Sequence, residues 1–190
     1  MRMDVYFDYA CPYCVRGLAY LQELLPAHQN VIEVNFIPVE AHPRPESYGK
    51  HTDLCAQGMY EIIRQGIDPW AYHAAVFKIA VHDRADIENP RVLTDALAAK
   101  DGMPLYIRNT KKALKDKSPD PLFDAEAFQK TLEKRTFADK VDQNNRKAYE
   151  ENHVWAVPAY VMADGRRLDA AEGVGVSFTD LEALIKGARS

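Results

Sequence analysis

Apolar and polar positions alternate from Met3 to Asp8, with Met3, Val5 and Phe7 set against Asp4, Tyr6 and Asp8. A period of two predicts a strand. The period changes after Cys11. Val15, Leu18, Leu21 and Leu25 recur at helical spacing and predict a helix from Pro12 to His28. Pro12 suits its first turn, where a missing N–H costs nothing, and Pro26 limits its end. Alternation returns from Val31 to Ile37 through Ile32, Val34 and Phe36, and Pro38 ends it. Strand, helix and strand with short joints form a βαβ unit. The two strands are therefore expected to be parallel, with a right-handed crossover.

From Tyr48 to Asn152 the pattern is helical throughout, punctuated by Gly, Pro and Asp. One segment runs through Leu54, Tyr60, Ile62 and Ile63. A second follows Asp68-Pro69 with Trp70, Ala74, Phe77 and Val81 on one face. A third follows Asn89-Pro90. Residues 124–134 and 137–152 give two more, after a Ser118-Pro119-Asp120-Pro121 loop. Strand character resumes at Val157-Pro158-Ala159-Tyr160-Val161-Met162. Asp164-Gly165 makes a tight turn, and Arg166 to Ala170 returns as the second arm of a hairpin. A last helix begins at Ser177, whose spacing to Asp180 resembles a capping box. The order is β-α-β, a helical block, then β-β-α.

Composition narrows the class without changing this outline. The chain has 190 residues, 47% apolar and 27% charged, which excludes disorder and fibrous repeats. Lys and Arg total 24 against 28 Asp and Glu, a net charge of −4. No bulk electrostatic attraction to nucleic acid or an anionic membrane is expected. The basic run Lys111, Lys112, Lys115 and Lys117 reads as a solvated face. No apolar run approaches the ~18 residues of a membrane span. The first residues lack a signal-peptide pattern, so the expected location is cytoplasmic.

Three cysteines are too few for a disulfide scaffold. Two form Cys11-Pro12-Tyr13-Cys14, placed where a strand hands over to a helix. A helix N-terminus offers unpaired N–H groups and partial positive charge, which favour a thiolate. Cys14 lies one turn later on the same face, within reach of a mixed disulfide on Cys11. Cys11 is thus the candidate nucleophile and Cys14 the resolving thiol. Pro12 rigidifies the turn, and Tyr13 is expected near its mouth. A zinc site is the competing reading, since His51 and Cys55, four apart, can complete a Cys3His set with Cys11 and Cys14. Cys55 otherwise reads as a packed free thiol. His42 reads as a loop histidine. Asp4 and Asp8 are candidates for a carboxylate near the resolving thiol, with ordinary strand-edge carboxylates as the blander reading.

The segment from Phe7 to Cys14, the later Val157-Pro158 and the helical block between them resemble the DsbA-like thiol–disulfide oxidoreductases, especially their FrnE-type branch. The resemblance covers nearly the whole chain. It implies an α/β thioredoxin-like fold with an inserted all-helical subdomain: residues 1–47 and 153–190 as the thioredoxin-like domain, and 48–152 as the insertion. It implies that Pro158 is cis and faces the Cys11 sulfur, with the Val157 backbone presented to an extended peptide. The family's usual Gly before Val-Pro is replaced by Trp155-Ala156. Trp155, with Tyr9, is a candidate for the substrate groove; a core aromatic is the equal alternative for Trp155.

The expected function is exchange of disulfides with thiol- or disulfide-containing proteins or small molecules, with no nucleic acid or membrane partner. No metal and no cofactor beyond the Cys11–Cys14 redox pair is expected, and a low-molecular-weight thiol is a candidate electron partner. Two other classes stay open. One is a glutathione-dependent transferase or isomerase of the kappa or hydroxychromene-carboxylate isomerase type. The other is a non-enzymatic metal- or peptide-binding module. A glutaredoxin-like reading matches only Cys-Pro-Tyr-Cys itself.

Overall fold

The computed structural model describes residues 1–28, 32–43, 46, 49–100, 102–103 and 122–187. The Lys111–Lys117 run and the Ser118–Pro121 loop lie outside the described residues. The chain divides into two compact units, Met1–Ala41 with Gln143–Ser190, and His42–Asp142. These bounds stand in place of the expected breaks at 47 and 152.

The first unit is built on a four-stranded sheet of order β2-β1-β3-β4, with β1 Arg2–Phe7, β2 Glu33–Pro38, β3 Ala159–Met162 and β4 Arg167–Asp169. β1 pairs β2 in parallel, with Val5 opposite Phe36, as a βαβ crossover requires. On its other edge β1 pairs β3 antiparallel, with Val5 opposite Tyr160. β3 and β4 form the hairpin, whose turn holds Gly165 at φ +89°. A side chain is disfavoured there, which is why the Asp164-Gly165 signal was legible. Being central, β1 buries Met3, Val5, Tyr6 and Phe7 almost completely, Tyr6 included despite its polar place in the alternation.

Helix α1 spans Pro12–Leu24 and passes into a 3-10 turn, Leu25–Ala27. Pro26 lacks an N–H and cannot continue the α ladder, so the helix stops short of the expected His28. The final helix, Phe178–Lys186, contacts α1, and its Phe178 ring meets Tyr20 edge-on at 5.4 Å. Ser177 caps it by accepting from the Asp180 N–H at 3.1 Å. The return half of the box differs from expectation. The Asp180 carboxylate takes the Ser177 hydroxyl at 2.6 Å, because Asp is one methylene short of Glu.

The second unit is helical. Its helices are α2 Asp53–Arg64, α3 Pro69–Phe77, α4 Pro90–Ala98 and α5 Ala125–Glu133. The signals Asp68-Pro69 and Asn89-Pro90 act as caps: Asp68 accepts from the Trp70 N–H, and Asn89 from those of Arg91 and Val92. Gly58 on α2 is required by packing. A Cβ there meets the Phe128 ring at 2.7 Å and crowds the Tyr72 hydroxyl. Phe128 meets Tyr72 at a tilt and Phe123 edge-on around that approach. Helix α6, Ala138–Arg146, leads the chain from the second unit into the first and ends in a π-turn, Lys147–Glu151. The terminal helix is therefore α7. Among the described residues no helix is long and apolar enough to cross a membrane.

Candidate active site

β1 ends at Phe7 because the Asp8 side chain takes over the backbone. Its two carboxylate oxygens accept from the Ala10 N–H at 2.8 Å and the Ala41 N–H at 2.7 Å. Asp8 is 2% exposed and its charge acts on Cys14, so the reading as a plain strand-edge carboxylate does not fit it. The turn it organises delivers Cys11 to the N-cap of α1, with Pro12 at the first helical position. Cys11 offers no side-chain cap, so its sulfur is left for other partners.

The two thiols occupy different environments. Cys11 is part-exposed, whereas Cys14 is 2% exposed. The Cys14 thiol donates to the Cys11 sulfur, and the backbone N–H groups of Cys14 and Tyr13 point at it too. Against burial and the nearby Asp8 charge, these donors draw Cys11 down to about 7 from its ordinary 9.0. Cys14 moves the opposite way. Burial, the bond it gives Cys11 and the negative charge of Cys11 raise it well above its ordinary value, opposed only by the Asp8 backbone N–H. One helical turn thus separates an accessible, acidic thiol from a shielded, protonated one.

Across the sheet, the Val157–Pro158 peptide bond is cis. The Cys11 sulfur lies 3.6 Å from the Val157 carbonyl oxygen. Residues 146 apart in sequence are in contact because β3 pairs with β1 at its carboxyl end. Pro158 also reaches α1, where a Cβ on Gly17 stands 3.1 Å from its ring.

The remaining candidates separate. Tyr13 is half-buried and its hydroxyl donates to the Gly173 carbonyl at 2.5 Å. Arg16 covers its ring at 5.4 Å and donates to the Val174 carbonyl. Gly175, at φ +80°, leaves room for both side chains. This tether on the 171–175 turn was not anticipated from sequence. Its visible signal was only the Gly173-Val174-Gly175 run. Tyr9 corrects the groove expectation: it is 1% exposed and packs edge-on against Phe7 at 5.0 Å, so it presents no surface to a substrate. Trp155 corrects the alternative core reading. It is 82% exposed and stacks on His153 at 6.4 Å. His153 holds a positive φ, and Val154 beside it is buried in the core, so Trp155 is left on the outer side of the chain just before the sheet begins.

Asp4 is not part of the thiol site. Burial pushes its carboxyl up, but hydrogen bonds from Lys147, Asn35 and Arg2 outweigh that and hold it below the ordinary range. The zinc reading lacks its geometry: among the described residues no group of three or more His, Cys, Asp and Glu side chains is placed to hold a metal. His51 hydrogen-bonds the His42 carbonyl at 2.9 Å, and His42 faces Glu46. Cys55 is fully buried, and the Tyr72 hydroxyl donates to its carbonyl.

The remaining sequence signal missed was Tyr160. It lies on β3 two residues after Pro158, which precedes the strand. It is 1% exposed, and its hydroxyl comes to the same Gly17.

The architecture matches solved structures over almost its whole length. Chlamydia trachomatis DsbA superposes with TM-score 0.65 at 15% identity, covering 99% of this chain and 86% of that one. Pseudomonas aeruginosa DsbA gives 0.61 at 20% identity, with 99% and 83% covered. The fold is that of DsbA. A DsbA-like structure described as a putative protein disulfide isomerase, from Nitrosomonas europaea, gives 0.68 at 10% identity, with 98% and 96% covered. The DsbA fold pairs a thioredoxin-like sheet with helices inserted in the chain, the order found here. By sequence the chain is similar to the uncharacterized protein YwbO of Bacillus subtilis (strain 168). The two are 24% identical over 199 aligned positions, covering 86% of this chain and 88% of YwbO. No family model matches the chain.

Proposed function

We infer that the protein is a thiol–disulfide oxidoreductase acting through Cys11 and Cys14. The observation that carries this reading is the opposition between the two sulfurs. Cys11 is part-exposed and drawn down to about 7, whereas Cys14 is buried and held protonated beside it. A nucleophilic thiol needs thiolate character and access near neutral pH, and a resolving thiol needs shielding from outside reagents.

In the reducing direction the Cys11 thiolate attacks a substrate disulfide. A Cys11–substrate disulfide forms and the first substrate sulfur leaves as thiolate. Cys14 then loses its proton and attacks the Cys11 sulfur. The Cys11–Cys14 disulfide forms, the second substrate thiolate leaves, and the Cys14 proton ends on a released thiolate. The substrate is reduced by two electrons and the pair is oxidised. The reverse sequence oxidises a dithiol. Substrates are thiol- or disulfide-containing proteins or small molecules, and a low-molecular-weight thiol can close the cycle. The Val157 carbonyl edge beside Cys11 suits an extended peptide laid against the cis-Pro158 loop. A buried second thiol hydrogen-bonded to the first favours disulfide exchange over activation of glutathione by a single hydroxyl.

The reading is tested with single variants. Cys11→Ser is expected to abolish exchange with a model disulfide. Cys14→Ser is expected to stop at a mixed disulfide with Cys11, seen by intact mass. Full activity in Cys11→Ser contradicts the assignment.

A further inference from the structure

Tyr160 carries a polar atom that the fold leaves unused. The residue is 1% exposed, and among the described residues of the dithiol protein its hydroxyl has no hydrogen-bond partner. An unpaired buried hydroxyl is costly, so it calls for a reason. Its position supplies one. Tyr160 stands on β3 two residues beyond Pro158, and its hydroxyl approaches α1 so closely at Gly17 that a Cβ there would collide with the oxygen. Gly17 is three residues after Cys14, on the same face of the helix. A glycine is what lets the phenol reach that face. Burial, and after it the Cys14 charge, raise the phenol far above its usual range, so it keeps its proton at neutral pH.

We propose that the Tyr160 hydroxyl is a positioning residue for the resolving step, held in reserve to donate a hydrogen bond to the Cys14 sulfur when that sulfur becomes a thiolate. In the resting dithiol, Cys14 is itself the donor, to Cys11, and needs no further proton near it. Once Cys11 is tied up in a mixed disulfide, Cys14 must ionise in an almost dry site. The Asp8 backbone N–H gives it one donor, and the Asp8 carboxylate opposes its charge. The titratable groups acting on Cys14 are therefore Cys11, Asp8 and Tyr160. Only Tyr160 supplies a proton donor that keeps its proton throughout. As the Cys14–Cys11 bond forms and the Cys11–substrate bond breaks, the charge leaves with the substrate thiolate and the phenol is released unchanged. The Cys14 proton ends on that thiolate or, for a weakly basic leaving group, in the buffer.

This inference rests on the oxidoreductase reading, and one experiment separates the two. Reduced protein is mixed rapidly with dithiobis(nitrobenzoate), whose coloured thiolate is released once by Cys11 attack and again by Cys14 resolution. In Tyr160→Phe the first phase is expected to stay within twofold of wild type. The second is expected to slow by about tenfold or more, with its pH midpoint raised, since a hydrogen bond to a charged group is lost. Thermal unfolding of the dithiol form should not suffer, because the lost hydroxyl had no partner there. A second phase within twofold of wild type overturns the proposal, and assigns the hydroxyl to packing or to a buried water. Should Tyr160→Phe fail to fold, Gly17→Ala, which keeps the hydroxyl but crowds it, decides by the same criterion. If wild-type protein shows no Cys11-dependent first phase, the oxidoreductase reading fails instead.

Discussion

At the scale of single residues, the two cysteines share a motif and a helix turn yet differ in every property that matters. Cys11 gains three hydrogen-bond donors and keeps some solvent; Cys14 is the largest of those donors and loses its own solvent. The pH dependence follows. The folded value of Cys11, about 7, lies below the ordinary 9.0 of an unfolded thiol. In the dithiol form this contributes stability that is full above pH 9 and is lost as pH falls through about 7. Alkylation of Cys11 in native protein is expected to rise with a midpoint near 7, with Cys55 and Cys14 protected by burial. In Cys14→Ala the thiol that donates to Cys11 is gone, and the midpoint should move up toward 9. An unmoved midpoint would assign the acidity to the helix N–H groups alone.

At the scale of elements, α1 approaches β3 closely at Gly17, which faces Tyr160 and, just before the strand, Pro158. Magnitudes decide what a methyl group does there. Alanine in a helix gains about 1 kcal/mol over glycine. Overpacking against a buried ring and a cis-proline loop costs about 1–3 kcal/mol. Gly17→Ala is therefore expected to lower stability by about 1 kcal/mol in denaturant unfolding, against the propensity trend. The elements themselves were largely legible, each through a local signal. Pro12 and Ser177 marked helix starts, Asp68-Pro69 and Asn89-Pro90 marked caps, and Asp164-Gly165 marked the hairpin. Ends were less legible. The strand expected from Val157 starts at Ala159, because the cis-proline loop precedes the ladder. The helix expected over 137–152 closes in a π-turn, its Asn152 N–H reaching back five residues to the Lys147 carbonyl. No composition signal distinguishes that turn from an ordinary last turn.

At the scale of the whole molecule, both units bury ionisable groups, and their pH responses are separable. In the helical unit, His73 is wholly buried, and burial lowers it to about 3 from its ordinary 6.5. A folded value below the unfolded one means that the folded state resists a proton the unfolded chain accepts. Stability from this group is full above pH 6.5 and is lost as pH falls toward 3. The contribution to the slope is at most about 1.4 kcal/mol per pH unit. Denaturant unfolding between pH 7 and pH 4 is expected to show a shallower loss in His73→Leu than in wild type. Equal slopes would place the acid sensitivity in the carboxylates instead.

Pro158 was marked only by the family resemblance; the sequence by itself determined the order β-α-β, helical block, β-β-α, and it picked out Cys11 and Cys14. These are local matters: periodicity, caps and turns are set by neighbours within a few residues, and a Cys-x-x-Cys pair at a helix start is one turn of one helix. The tertiary structure decided what each side chain faces. Tyr9 and Trp155 are both aromatic residues near the motifs, yet one is buried and the other open, because burial depends on what the rest of the chain lays over a site. Asp8 became a buried organiser of the active-site turn only through Ala41, 33 residues away. The contact of Cys11 with Val157 and the approach of Tyr160 to Gly17 both need β3 paired to β1. Such contacts join the two ends of the chain, and no local pattern encodes which atoms a closed sheet brings together.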